Sequence, residues 1–232
     1  MDETAKSRWE DYMDVFTAPS ALFERRTDGK FGQAMVVFVV LAAVLYYATL
    51  PAMQPIMEAE FMRGMPDAQT AQATPEQIET MRRMSGIFGG IGVIIFSPIS
   101  FFVVGALVWL GAKVAGGSVF YGQGTTIATF AMFPRLLQSV VSAVQALFLD
   151  ESQLTSMNSV SLGLGRLLDA ESTNPVLLGL LSRVDVFTIW VTLLIALGLR
   201  LMARVPTGAA MAGAAVVWLI GAVPSIVQAL MR

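Results

Sequence analysis

The chain is 232 residues long, 55% hydrophobic and 14% charged; soluble domains carry about 25% charged residues, so it reads as a membrane protein folded as one unit. A net charge of −2 argues against nucleic acid as a partner. With neither Cys nor His in the chain, disulfides, thiolate chemistry, Ser-His-Asp catalysis and imidazole metal sites are excluded, and no metal or cofactor is expected.

The first 30 residues mix acids and bases and show no apolar signal-peptide core. Trp9, Met13 and Phe16 recur at i, i+4 and i+7 among Arg8, Glu10, Asp11 and Asp14, and "TAPSALFERR" restarts a helix with Pro19 near its first turn. These amphipathic surface helices either lie in the headgroup layer or pack on the cytoplasmic ends of the bundle. Both arrangements stay open.

Five apolar runs follow, at about 31–53, 86–115, 125–148, 176–200 and 208–230. Each reaches the roughly 20 residues a helix needs to cross a bilayer. The expected fold is therefore an all-α integral membrane protein, a five-transmembrane-helix bundle over 31–230 preceded by the N-terminal helices 1–30. With the N-terminus inside, Lys6, Arg8, Arg25, Arg26, Lys30, Lys113, Arg200 and Arg204 lie on the inner face. Arg63, Arg82, Arg83, Arg166 and Arg232 then lie outside. That excess favours a cytoplasmic N-terminus and an outside C-terminus.

Between the first two runs, "TPEQIETMRRM" carries a capping box, with Thr74 as cap, Pro75 at the first helical position and Gln77 reaching back. In the loop after the third run, a short helix is expected near Gly165–Ala170. The inner loop "AGGSVFYGQG" reverses on its glycines and presents Phe120 and Tyr121, as interface anchors or as part of a partner surface with Trp9 and Phe16. In the last run, Gly208-x-x-x-Ala212, Ala209-x-x-x-Gly213 and Gly221-x-x-x-Ser225 suit close helix contacts, within the bundle or between copies.

Three stretches resemble the Yip-domain family, the Ypt/Rab-interacting multi-pass membrane proteins. They are "DVFTAPSALFERR", "KVAGGSVFYGQGTTIATFAMFP" and "VDVFTIWVTLLIALGLRLMARVPTGAAMAG". The likeness runs from about residue 10 to 225. It implies five spans with a cytoplasmic N-terminus. In eukaryotic relatives it implies binding of Rab-type GTPases and a role in vesicle traffic. Only about 30 residues precede the first run here, so the chain is similar to the short bacterial branch, some of whose members work as accessory subunits beside ABC-type exporters. A bacterial cytoplasmic (inner) membrane is the location this implies.

Within the apolar runs stand charges that cost about 3 kcal/mol each at the bilayer centre. Arg135 lies about ten residues into the third run and Asp185 about ten into the fourth, each roughly 15 Å deep at 1.5 Å per residue. The spacing predicts a buried Arg135–Asp185 pair at mid-membrane. Gln138, Ser142 and Gln145 share Arg135's helical face; Ser182, Thr188 and Thr192 share that of Asp185; Ser97 and Ser100 of the second run can join. Arg183 points away and is expected to reach the outer boundary, near Asp169 or Glu171. Pro98, Pro134 and Pro224 mark expected kinks. A structural bolt is the first reading of this network and a substrate or proton pathway the second.

The functional expectation is a non-enzymatic scaffold or accessory subunit. Its partners are the lipid bilayer and another membrane protein, an ABC-type transporter for example, or a second copy. The alternative is a small transporter or channel using the polar seam between spans two, three and four. Internal repeats, which would favour a transporter, are not visible.

Overall fold

A computed structural model describes residues 3–64, 74–169 and 172–230 of the chain; Glu171 and Arg232 fall outside them. The described residues form α-helices joined by turns, and the molecule is an all-helical membrane protein. Helix α1 (Glu3–Thr17) stops at Ala18, and α2 (Pro19–Arg25) begins on a proline whose missing N–H costs nothing in a first turn. Asp11, only 1% exposed, holds the two helices together by pairing with Arg25 at 2.8 Å and with Arg26. Hydrogen bonds to Asp11 and Asp14 raise the Arg25 guanidinium above its ordinary pKa.

The first apolar run is the core of α3 (Gly32–Gly64), which continues past Pro51 and Pro55 beyond the expected boundary. Thr74 accepts the Gln77 N–H at 3.3 Å and Gln77 answers to the Thr74 N–H at 2.8 Å, a capping box that starts α4 (Pro75–Val114). At about 60 Å long, α4 runs through Pro98 without a break and is followed, after its C-cap Ala115, by Gly116, whose φ of 76° lies in the left-handed region.

The later runs are interrupted. The third divides into α5 (Tyr121–Ala131) and α6 (Pro134–Phe148), with Pro134 opening the second piece. The fourth divides into α7 (Pro175–Ser182) and α8 (Val186–Met202), and the fifth into α9 (Thr207–Ile220) and α10 (Val223–Leu230). Gly32–Met62, Gly86–Val114 and Tyr121–Phe148 are long and apolar enough to cross a membrane, whereas Val186–Met202 and Thr207–Ile220 are shorter apolar helices. Large apolar side chains such as Val36, Val40, Val44, Ile91, Ile95 and Phe96 face outward, as lipid allows and water does not.

Packing defines two ends of the bundle. At one, Gln123 donates its side-chain amide to Thr27 O at 2.9 Å, and Gly117 lies against Ala203 and Val205. At the other, Met157 N donates to Glu60 at 3.3 Å. Helices α4 and α9 meet where Gly111 and Gly213 face each other; an added Cβ on Gly213 would stand 2.6 Å from Gly111 O. Helix α2 rests on α8, and Val15, Leu22 and Phe23 are fully buried there.

Candidate functional site

The interior charges gather where the fourth apolar run is broken. Helix α7 ends at Ser182, and the chain restarts at Asp185 as the N-cap of α8. Irregular backbone inside a membrane protein is tolerated only when protein or water satisfies it. The loop after α6 does so: Leu164 N donates to Val184 O at 3.0 Å, making a single antiparallel bridge between Gly163 and Asp185. That loop is fastened in turn to α6, because Ser142 and Gln145 both donate to Val160 O, at 3.1 and 3.0 Å. Arg166 donates to Gln145 at 2.7 Å. The short helix expected at Gly165–Ala170 is a 3-10 turn over Leu164–Leu167.

Asp185 is 4% exposed and its carboxylate has three donors. Oδ1 accepts from Phe187 N at 2.8 Å and Thr188 N at 3.1 Å, and Oδ2 accepts the Thr188 hydroxyl. Backbone N–H groups at a helix start carry partial positive charge, so an anion is stabilised there without a second ion. The Thr188 hydroxyl also accepts from Arg135 Nη2 at 2.9 Å, and Arg135 Nη1 donates to Gln138 at 2.6 Å.

The expected direct pair of Arg135 and Asp185 is corrected by this geometry. No ion pair joins them among the described residues; Thr188 stands between. The physical cause is the helix break, which turns Asp185 onto its own helix start and leaves the residue one turn later facing α6.

Arg183 is held by the last run. It caps α7, donates from Nη2 to Trp218 O at 3.1 Å and lies over the Trp218 ring at 5.6 Å. It thus meets the carbonyl end of α9, where the helix dipole favours a cation. Each charge of this stretch is matched to a helix terminus.

Of the other expected members, Ser97 and Ser100 bond their own helix at Val93 O (2.6 Å) and Phe96 O (2.8 Å). Thr192 bonds Thr188 O at 2.8 Å. These three do not join the network. The open space near Arg135 includes Ser97, Arg135, Gln138 and Ser142 of the expected seam, and it is bounded by the first run where the fourth was expected. A cavity of about 550 Å³ is walled by α3, by α4 at Val93 and Ser97, and by α6 from Arg135 to Ser142.

The surface candidates divide. Trp9 is 61% exposed, edge-on to Tyr12 at 5.6 Å. Phe16 is not free: it packs edge-on against Trp190 of α8 at 5.9 Å. Phe120 and Tyr121 are about half exposed, but Phe120 lies against Gly29 and the Tyr121 hydroxyl donates to Phe102 O at 3.0 Å. Sequence reasoning did not single out the Asp11–Arg25–Arg26 cluster, Gln123, or the loop that covers Asp185. Two arginines following an acidic helix by 14 to 15 residues across a proline turn were the available signal for the first.

Comparison with known proteins agrees with this architecture. A family model described as the Yip1 domain matches residues 13–227. The chain is similar to the membrane protein YknW of Bacillus subtilis (strain 168), at 24% identity over 188 residues, covering 80% of this chain and 75% of that one. No solved structure matches.

Proposed function

The chain belongs to the Yip1 domain family of membrane proteins, and on that premise we propose that it is a non-enzymatic scaffold or accessory subunit that binds another membrane protein or a transport complex. The observation that carries this reading is the use made of the interior charges. Asp185 caps α8, Arg183 closes on Trp218 O, and Arg135 is held by Gln138 and Thr188. A proton or substrate pathway needs side chains that exchange partners during each cycle. Releasing Asp185 would strip two N–H groups at a buried helix start, at about 1–3 kcal/mol per unsatisfied group. The interior therefore fastens, and the exterior is left for assembly.

In this reading the partner-facing end is the one that carries Phe120, Tyr121 and exposed Trp9. The Lys and Arg excess supports a cytoplasmic position for that end, and the proposed location of the chain is a bacterial cytoplasmic membrane. The partner is an ABC-type transporter or a second copy. Purification of the full chain from its native membrane, with co-eluting proteins identified, tests the reading. One membrane protein, or a second copy, should accompany it in constant ratio and be lost when Phe120 and Tyr121 are both replaced by Ala with the thermal midpoint retained. A chain that elutes alone and monomeric contradicts the proposal.

A further inference from the structure

The cavity beside Arg135 has the attributes of a binding site, and they do not depend on the scaffold reading. Helix α4 packs closely on α5, the lower half of the third span, but not on α6, its upper half. The cavity fills the resulting gap, with α3 as its back wall. At about 550 Å³ it lies inside the range of about 300–1,000 Å³ typical of small-molecule sites. Its wall along α3 runs from Phe38 to Met57, about 28 Å at 1.5 Å per residue, so the space is long and narrow.

Its lining is mostly apolar, and Met53, Met57 and Met157 meet at one end. Methionine walls adapt to flexible apolar bodies of varied shape. Toward the other end stands Arg135, the cation of the lining. Its charge is not met directly by a carboxylate: Thr188 stands between Arg135 and Asp185, and the Asp185 oxygens are taken up by the start of α8. A guanidinium does not lose its proton in proteins, and a positive charge held apart from its counter-ion is costly in a membrane unless an anion joins it.

We propose that this cavity binds an amphiphile with a single anionic head group, carboxylate or phosphate, held by Arg135, and a flexible apolar chain lying along α3 toward the three methionines. The purified full chain in neutral detergent is titrated by calorimetry with four probes: oleate, dodecyl phosphate, oleyl alcohol and inorganic phosphate. Oleate and dodecyl phosphate separate the two head groups, oleyl alcohol lacks the charge, and inorganic phosphate lacks the chain. At least one of the first two should bind at least tenfold more tightly than oleyl alcohol and inorganic phosphate. Arg135→Gln should abolish that preference. Ala42→Phe, which narrows the cavity without touching the charges, should weaken the preferred probe at least tenfold and serves as the deciding variant where Arg135→Gln does not fold. Equal binding of oleyl alcohol and the anionic amphiphiles, equal binding of inorganic phosphate, or an unchanged affinity in Ala42→Phe overturns the proposal.

Discussion

At Asp185 a buried carboxylate receives two backbone N–H groups and one hydroxyl, while the Arg135 guanidinium is bound to that same hydroxyl. The energetics therefore centre on Thr188, which donates to the anion and accepts from the cation. Replacing Thr188 by Val leaves an Arg135 N–H and one Asp185 oxygen without these partners, a loss of about 1–3 kcal/mol for each buried group. Thr192 carries the same hydroxyl one turn later but bonds only Thr188 O. Thermal unfolding in detergent should show Thr188→Val several degrees below Thr192→Val. A double-mutant cycle between Arg135→Leu and Asp185→Asn should give a coupling of at least about 0.5 kcal/mol with Thr188 present, reduced in a Thr188→Val background to what the Coulomb attraction of the two charges retains. Coupling that is undiminished without Thr188 would mean the hydroxyl does not bridge the two charges.

Helix contacts follow small residues. At the crossing of α4 and α9, Gly111 and Gly213 bring backbone against backbone, and a methyl on either would stand within 2.8 Å of the other's carbonyl oxygen. Neither backbone yields cheaply, and overpacking of this kind costs about 1–3 kcal/mol. Gly208, on the same helix, has nothing within 4 Å. Gly213→Ala should lower the thermal midpoint, while Gly208→Ala should leave it unchanged or raise it through helix propensity; equal effects would remove the crossing from the account. The Ala209-x-x-x-Gly213 spacing made this contact legible in sequence, as did the capping box at Thr74 and Gln77 and the helix restart at Pro134. At Pro98, expected as a kink, the helix α4 is not interrupted. The break at 183–185 carries no Pro or Gly, so periodicity alone read one continuous helix. Its trace is chemical: an Asp before an apolar run, with Thr at the third helical position, is how an N-cap is written. The loop over Asp185 was illegible for a different reason. Polar, Gly-rich segments declare that they are loops but not which backbone groups they satisfy.

For the whole molecule, the arrangement of the ends decides how the interior charges are placed. Residues 27–29, 117–123 and 203–205 meet at one end, through Gln123 and Gly117, and Glu60 meets Met157 at the other. On the proposed topology of five crossings, three of them interrupted, Arg135 and Asp185 lie near the middle of the membrane. The chain has no cysteine, so each introduced cysteine is unique and can be tested with an impermeant maleimide on intact and on opened cells. Single cysteines at Asp28, Ser118 and Thr207 should react only after opening, and those at Glu76, Ser152 and Ser172 should react in intact cells. Labelling of positions 118 and 152 from the same side would contradict five crossings and remove the mid-membrane placement of the polar centre.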